Sequence, residues 1–213
     1  MKRVLITGAS SGLGLEIGKL LQKNEFEVIN LSRKPSSFEN VKLDLSNSES
    51  VKNVIRVIKK NYSNFEVLIL NSGIMPLARV GEIEFDIEEM FKVNITANIK
   101  IVNELLELIK KNKSDVVFIG STAALKGYEN HAAYCASKHA VNGFVKSLQV
   151  ELVNEPVRVI GFHPGGFNSN LRGGIIKEGY MDPKYLASMV LNILELPKNI
   201  EVSEIVINRK KAV

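Results

Sequence analysis

Val4-Leu5-Ile6-Thr7-Gly8-Ala9-Ser10-Ser11-Gly12-Leu13-Gly14 is a short apolar run that breaks into a glycine-rich turn. Leu13–Lys23, which follows, carries helical periodicity. Gly8, Gly12 and Gly14 allow a sharp turn, and their missing side chains let backbone N–H groups approach an anion. The N-terminus of the helix adds partial positive charge at the same place. The spacing Gly-x-x-x-Gly-x-Gly differs from the Gly-x-Gly-x-x-Gly of many dinucleotide-binding turns, and no Gly-Lys-Ser/Thr follows as in a P-loop. A strand, an anion-binding turn and a helix therefore predict an α/β fold with a phosphate-bearing ligand at this loop.

The alternation continues outward from this unit. Val28–Leu31, a short Val41–Leu43, Val67–Leu70, Val116–Ile119, Val157–Phe162 and Ile205–Ile207 read as further strands. Most are continuously apolar, as parallel strands covered on both faces are. Between them, Ser48–Asn61, Ile87–Asn112, Ala132–Asn154 and Lys184–Leu194 read as helices. Pro156 closes the helix before it, and Asp182-Pro183 opens the last one with a cap and a first-turn proline. With no repeat, linker or low-complexity tract, residues 1–213 are expected to form a single domain. Its expected architecture is a doubly wound parallel sheet of about seven strands with helices on both faces.

Hydrophobic residues make up 45% of the chain and charged residues 24%, an ordinary globular balance. No apolar run reaches the roughly 20 residues of a membrane span. The opening Met1-Lys2-Arg3 and its apolar run break at Thr7–Gly12, too early for a signal peptide, so a cytoplasmic location is expected. Cys135 is the one cysteine, which excludes an intrachain disulfide and a cysteine metal cluster; it reads as a packed helix residue, or else an oxidation site. The net charge is +5, but lysine pairs such as Lys59-Lys60 and Lys110-Lys111 are scattered among acidic residues. Solvated surface explains them better than nucleic-acid binding. His131, His139 and His163 lack the spaced carboxylates of a metal set, and no metal is expected.

The second strand ends in Leu31-Ser32-Arg33-Lys34, without the carboxylate that usually meets a ribose 2′-OH. Arg33, helped by the Ser32 hydroxyl, suits a 2′-phosphate, so NADP(H) is favoured over NAD(H). If the loop does not fold inward, the two basic residues are only exposed charges. Tyr134 and Lys138 stand four residues apart, on one face of a helix. A cation there favours the phenolate over a phenol whose ordinary pKa is about 10. Such a tyrosine can exchange a proton with an oxygen undergoing redox change.

These features occur in a fixed order: Thr7–Gly14, Asp44-Leu45, Asn71-Ser72-Gly73, Asn94, Ser121, Tyr134-x-x-x-Lys138 and Pro164-Gly165. The set strongly resembles the short-chain dehydrogenase/reductase family, of Rossmann type, over essentially the whole chain. The resemblance implies that Tyr134 is the proton donor or acceptor and that Lys138 lowers its pKa and binds the nicotinamide ribose. Ser121 would hold the substrate oxygen, and Asn94 would anchor a water-linked proton path. Gly8, Ser10, Ser11, Gly12, Leu13 and Gly14 would surround the pyrophosphate, and Asp44 and Leu45 the adenine. Asn71, Ser72 and Gly73 would form the turn after the fourth strand. Pro164, Gly165, Phe167 and Ser169 would line the nicotinamide end, with Phe167 and Ser169 in altered places.

The implied reaction interconverts a small-molecule ketone or aldehyde and an alcohol. A cofactor-sensing module without chemistry is the alternative. Ile95, Ile99, Val102, Phe144 and Leu148 lie on the two long helices that pair across a two-fold axis in family members, so a homodimer or homotetramer is implied; they could equally face the sheet. The segment Asn170 to Met181 is shorter than the family's substrate lid, pointing to a small substrate, a partner-completed pocket or a partly exposed bulky one.

Overall fold

In a computed structural model of the protein, residues 2–169, 171 and 177–210 are described. The expected strand-helix alternation is present. Strands β1 (Lys2–Thr7), β2 (Phe26–Ser32), β3 (Glu39–Lys42), β4 (Val67–Leu70), β5 (Asp115–Ile119), β6 (Arg158–Pro164) and β7 (Glu204–Ile207) form one sheet. Their order is β3-β2-β1-β4-β5-β6-β7, and every pairing is parallel. The helices are α1 (Gly12–Lys23), α2 (Ser48–Asn61), α3 (Ile87–Phe91), α4 (Ala97–Asn112), α5 (Ala132–Glu151) and α6 (Pro183–Glu195).

The four residues of β4 and the five of β5 are all buried, because helices cover the sheet on both sides. On one side Ile55 and Ile58 of α2, Leu105 of α4 and Val145 of α5 pack on Leu5, Leu68 and Val116. On the other, Ile17 and Leu21 of α1 and Leu186 and Val190 of α6 pack on Val4, Ile6 and Ile160. Of the five apolar residues read as interface or core, Ile95, Val102 and Leu148 are buried against the sheet, and Phe144 stacks edge-on against Phe118. Only Ile99 is exposed, at 38%.

Local chemistry sets the ends of the helices. Asn47 caps α2 by accepting from the N–H groups of Glu49 and Ser50, and Asp182 caps α6 through the Lys184 N–H. Helix α5 stops at Glu151, before the turn that precedes Pro156, rather than continuing to Asn154. Among the described residues, no helix is long and apolar enough to cross a membrane.

The predicted helix Ile87–Asn112 is not continuous. Lys92–Thr96 forms a π turn in which Ala97 N–H reaches back to Lys92 O. Periodicity does not reveal this wider turn, because it displaces the apolar stripe by only one residue. At the far, N-terminal edge of the sheet, Asp115 holds Arg158 through paired contacts of 2.8 and 2.6 Å, and Lys198 joins at 2.6 Å.

A candidate cofactor and catalytic site

Between β1 and β4 the chain order reverses, and loops leaving the two strands separate to open a cleft at their C-terminal ends. The cleft encloses about 1070 Å³. That is just above the roughly 300–1,000 Å³ of ordinary ligand pockets, as room for a cofactor and a substrate requires.

The glycine turn forms its floor. Gly8 has φ +75° and packs so tightly that a Cβ would lie 2.6 Å from Ser72 Oγ; at Gly14 it would lie 2.5 Å from Gly8 O and from Asn71 Nδ2. Both glycines therefore serve close packing. Gly12, with φ +55°, differs: nothing lies within 4 Å of where its Cβ would stand, and it faces the cleft. Leu15 N–H is the first to bond back, to Ser11 O, and Ser11 makes no side-chain cap. The earlier N–H groups of α1 thus lack intrahelical partners, as an anion site requires.

Asn71 ties this loop to β4, its Nδ2 donating to Thr7 O (3.0 Å) and Gly8 O (3.3 Å). Thr7 Oγ1 accepts in turn from Asn71 N–H (2.9 Å) and Ser72 N–H (3.1 Å). Sequence reading gave Thr7 no role beyond opening the motif. A β-branched hydroxyl residue ending an apolar strand was the only available signal. Ser10, Ser11, Leu13, Ser72 and Gly73 line the same cleft.

At the end of β2, exposed Arg33 lines the cleft, so the loop does fold inward. Asp44 lies close enough for Arg33 to help hold its carboxyl below the usual range, after the larger effect of the Ser46 hydrogen bond. Leu45 is buried beside it. Ser32 is arranged otherwise than expected. Its single hydroxyl proton goes to Lys34 O at 2.6 Å, and its oxygen accepts from Asn30 Nδ2 at 2.9 Å. Ser32 therefore shapes the turn, and its proton is not available to a phosphate.

Ser121, Tyr134 and Lys138 line the other end of the cleft. Ser121 is extended after β5 and accepts from Ala123 N–H at 3.1 Å, leaving its own O–H to donate into the cleft. Tyr134 and Lys138 lie in the first turns of α5, with the Lys138 ammonium 5.9 Å from the phenol ring centroid. Lys138 is 5% exposed and donates to Ile119 O at 3.3 Å. Burial pushes its pKa down to about 8.

Asn94 sits in the π turn. Its Oδ1 accepts from Ile74 N–H (2.9 Å), while Nδ2 reaches Ile74 O (3.0 Å) and Ser137 Oγ (3.0 Å). Ser137 Oγ donates to Tyr134 O at 2.8 Å, so Asn94 steadies the first turn of α5. Asn98 was missed from sequence; its buried Nδ2 donates to the Asn94 carbonyl at 3.0 Å and so braces the wide turn. Gly73 keeps this region compact: its Cβ would lie 3.1 Å from Asn94 Oδ1 and 3.5 Å from Lys138 Nζ.

Pro164, Gly165, Phe167 and Ser169 line the remaining wall. Gly165 N–H bonds to Ile207 O at 2.7 Å, and a bridge joins Phe167 to Met181. Of the predicted short flap Asn170 to Met181, residues 170 and 172–176 lie outside the described residues. His163 lies buried beneath Gly120. Its Nε2 stands 3.3 Å from Glu204 Oε1 without hydrogen-bond geometry, and burial pushes its pKa down against the Glu204 charge.

A parallel sheet with an anion-binding turn at its switch point and a Ser-Tyr-Lys group opposite defines a nucleotide-dependent oxidoreductase class. Residues 2–178 match the family model for short chain dehydrogenases, and the chain belongs to the short-chain dehydrogenase/reductase family. An uncharacterised short-chain type dehydrogenase/reductase of Sinorhizobium fredii is 30% identical over 224 residues, covering 94% of this chain and 88% of the relative. The NADP-dependent 3-hydroxy acid dehydrogenase of Schizosaccharomyces pombe is 29% identical over 187 residues, covering 77% and 71%. The structure of a 4-hydroxyisoleucine dehydrogenase complexed with NADH superposes with a TM-score of 0.86 at 25% identity, covering 98% and 97%.

Proposed function

We propose that the protein is an NADP(H)-dependent oxidoreductase that interconverts a ketone or aldehyde and the corresponding alcohol. One observation carries this reading: Ser121, Tyr134 and a buried Lys138 share a single cleft with the glycine turn. When bound, the cofactor supplies or removes the hydride at the carbonyl carbon. Residues 1–213 act in this reading as one cofactor-binding domain.

The unpaired N–H groups at the start of α1 would hold the pyrophosphate, with Gly12 leaving room for it. Asp44 and Leu45 would flank the adenine, and Lys138 would bind the nicotinamide ribose. Pro164, Gly165, Phe167 and Ser169 would line the nicotinamide. Arg33 supports NADP(H), because it lines the cleft directly after β2, at the place where a carboxylate would otherwise meet the ribose 2′-OH. One relative is itself named NADP-dependent, whereas the 4-hydroxyisoleucine dehydrogenase carries NADH.

Ser121 donates its hydroxyl to the substrate oxygen, where negative charge develops in the transition state. Tyr134 gives that oxygen its proton during reduction and takes it back during oxidation. Lys138 favours the phenolate through its adjacent charge, and Asn94 steadies Tyr134 through Ser137. Tyr134→Phe tests this reading. Turnover of a carbonyl panel should fall by roughly 10²–10⁴, while NADPH binding by fluorescence titration is retained. Undiminished turnover would remove Tyr134 from the chemistry.

The same reading is of a cytoplasmic enzyme that works as a homodimer or homotetramer. Val150 in the last turn of α5 and Val153 just beyond it are 74% and 70% exposed and give a second copy apolar surface to cover. A monomeric sedimentation coefficient would rule that out.

A further inference from the structure

Among the described residues, the cleft is lined by five lysines and arginines against two acids, Asp44 and Glu89. Arg33 and Lys34 belong to the adenosine end, Lys138 to the proton-transfer group, and Arg209 stacks on the Tyr180 ring at 4.6 Å, on the far wall formed after β6 and β7. Lys126, in the loop between Ser121 and Tyr134, has no part in the proposed chemistry, yet it lines the substrate side of the cleft.

The loop is built to hold Lys126 there. Its N–H bonds to Thr122 O at 3.3 Å, and its carbonyl faces Cys135 Sγ at 3.7 Å. Its backbone is thus fixed between the neighbour of Ser121 and the neighbour of Tyr134. Its ammonium stands 5.2 Å from the centroid of the Tyr128 ring, and the Tyr128 hydroxyl is 2.7 Å from Thr122 Oγ1. An aromatic face positions a cation without neutralising it. No carboxylate among the described residues pairs with Lys126. Glu129, the acid of this loop, is taken by Arg79 at 3.0 Å. Glu89 comes from α3 and also lines a second recess of about 410 Å³, where it and Asp86 stand at the edge of an apolar patch made by Ile74, Met75, Pro76 and Phe85.

From this arrangement, and resting on the oxidoreductase reading above, we infer that Lys126 is a specificity-determining residue for a carboxylate. The substrate class is then a small oxo acid and its hydroxy acid, with the alkyl part in the Ile74–Phe85 recess. A single ammonium matches a monoanion, and its place in the Ser121–Tyr134 loop puts it on the same cleft as the reacting carbonyl. In reduction the carbonyl carbon gains a hydride from the reduced cofactor and the oxygen gains a proton from Tyr134. The cofactor leaves oxidised, and the carboxylate is unchanged.

The test compares 2-, 3- and 4-oxo acids with their primary amides, which match them in size but carry no charge, using NADPH and the full chain. The best acid should exceed its amide in kcat/KM by about tenfold or more, and added salt should narrow the gap. Lys126→Gln should lower the acid's kcat/KM about tenfold more than the amide's, and Lys126→Arg should restore most of the difference. Because acid and amide are measured on the same enzyme, misfolding cannot mimic a changed ratio. Amides turned over as well as acids, or a ratio unmoved by Lys126→Gln, would overturn the inference and leave the oxidoreductase reading standing. Turnover of neither acids nor amides by a protein that reduces other carbonyl compounds with NADPH would overturn the inference alone, whereas no turnover of any carbonyl by a protein that binds NADPH would overturn that reading, and the inference with it.

Discussion

Replacing Lys138 with methionine should make the cofactor-free protein more stable while disabling it. The side chain is 5% exposed, and its pKa is pushed from the ordinary 10.5 to about 8 by burial. A shift of that size corresponds to about 3 kcal/mol of unfavourable free energy for keeping the ammonium charged near neutral pH. Methionine fills similar space without a charge. It forfeits the hydrogen bond to Ile119 O, which returns about 1 kcal/mol. The net gain is about 2 kcal/mol, or roughly 4–8 °C in Tm for a domain of this size.

The pH dependence has a definite sign. The folded-state pKa lies below the unfolded one, so between about pH 8 and 10.5 the unfolded wild-type chain binds more protons than the folded one. Wild-type stability attributable to Lys138 therefore rises with pH across that window. Integrating to about pH 9.5 recovers about 2 kcal/mol, so the advantage of the variant should nearly vanish there. Thermal denaturation of both proteins without cofactor, near pH 7 and near pH 9.5, measures this; other titrating groups cancel in the difference. A variant that melts at or below the wild-type temperature near pH 7 would refute the dehydration argument. A gain that persists unchanged at alkaline pH would refute its electrostatic origin.

Arg33→Ala should weaken NADPH about tenfold or more in fluorescence titration, as expected for loss of a charge-assisted phosphate contact, and leave NADH nearly unaffected. Equal losses would place Arg33 away from the 2′-phosphate. Asp115→Ala should cost about 3–5 kcal/mol of stability in denaturant titration, because Arg158, with a side chain only 6% exposed, is left charged without its carboxylate. A loss below about 1 kcal/mol would mean that Arg158 relaxes into solvent.

Much of the fold is legible in local sequence for a physical reason. Continuous apolar runs such as Val67–Leu70 and Val116–Ile119 must be covered on both faces, and a helix between them must be the cover. The glycine turn is equally readable, since positive φ at Gly8 and Gly12 follows from the missing side chain. The π turn is not readable this way. It depends on Asn94 meeting Ile74 and Ser137, which lie 20 and 43 residues away in sequence. Ser32 carries the same lesson: a hydroxyl at the end of β2 looks available to a ligand until the Lys34 carbonyl curls back to take its proton.

The sequence by itself determined the order of the elements, the anion-binding turn at Thr7–Gly14, and Tyr134 and Lys138 on one face of a helix. Each is a property of residues within a few positions of one another, governed by backbone freedom and helical spacing. Only the tertiary structure decided that the glycine turn opens on the same cleft as Ser121 and Tyr134, and that Lys138 is buried there. Only the tertiary structure, too, left Lys126 lining that cleft with no carboxylate paired to it among the described residues, while Glu129 went to Arg79. The reason is that dehydration and charge pairing are set by neighbours brought in from distant parts of the chain, and a pKa or a substrate preference follows from those neighbours.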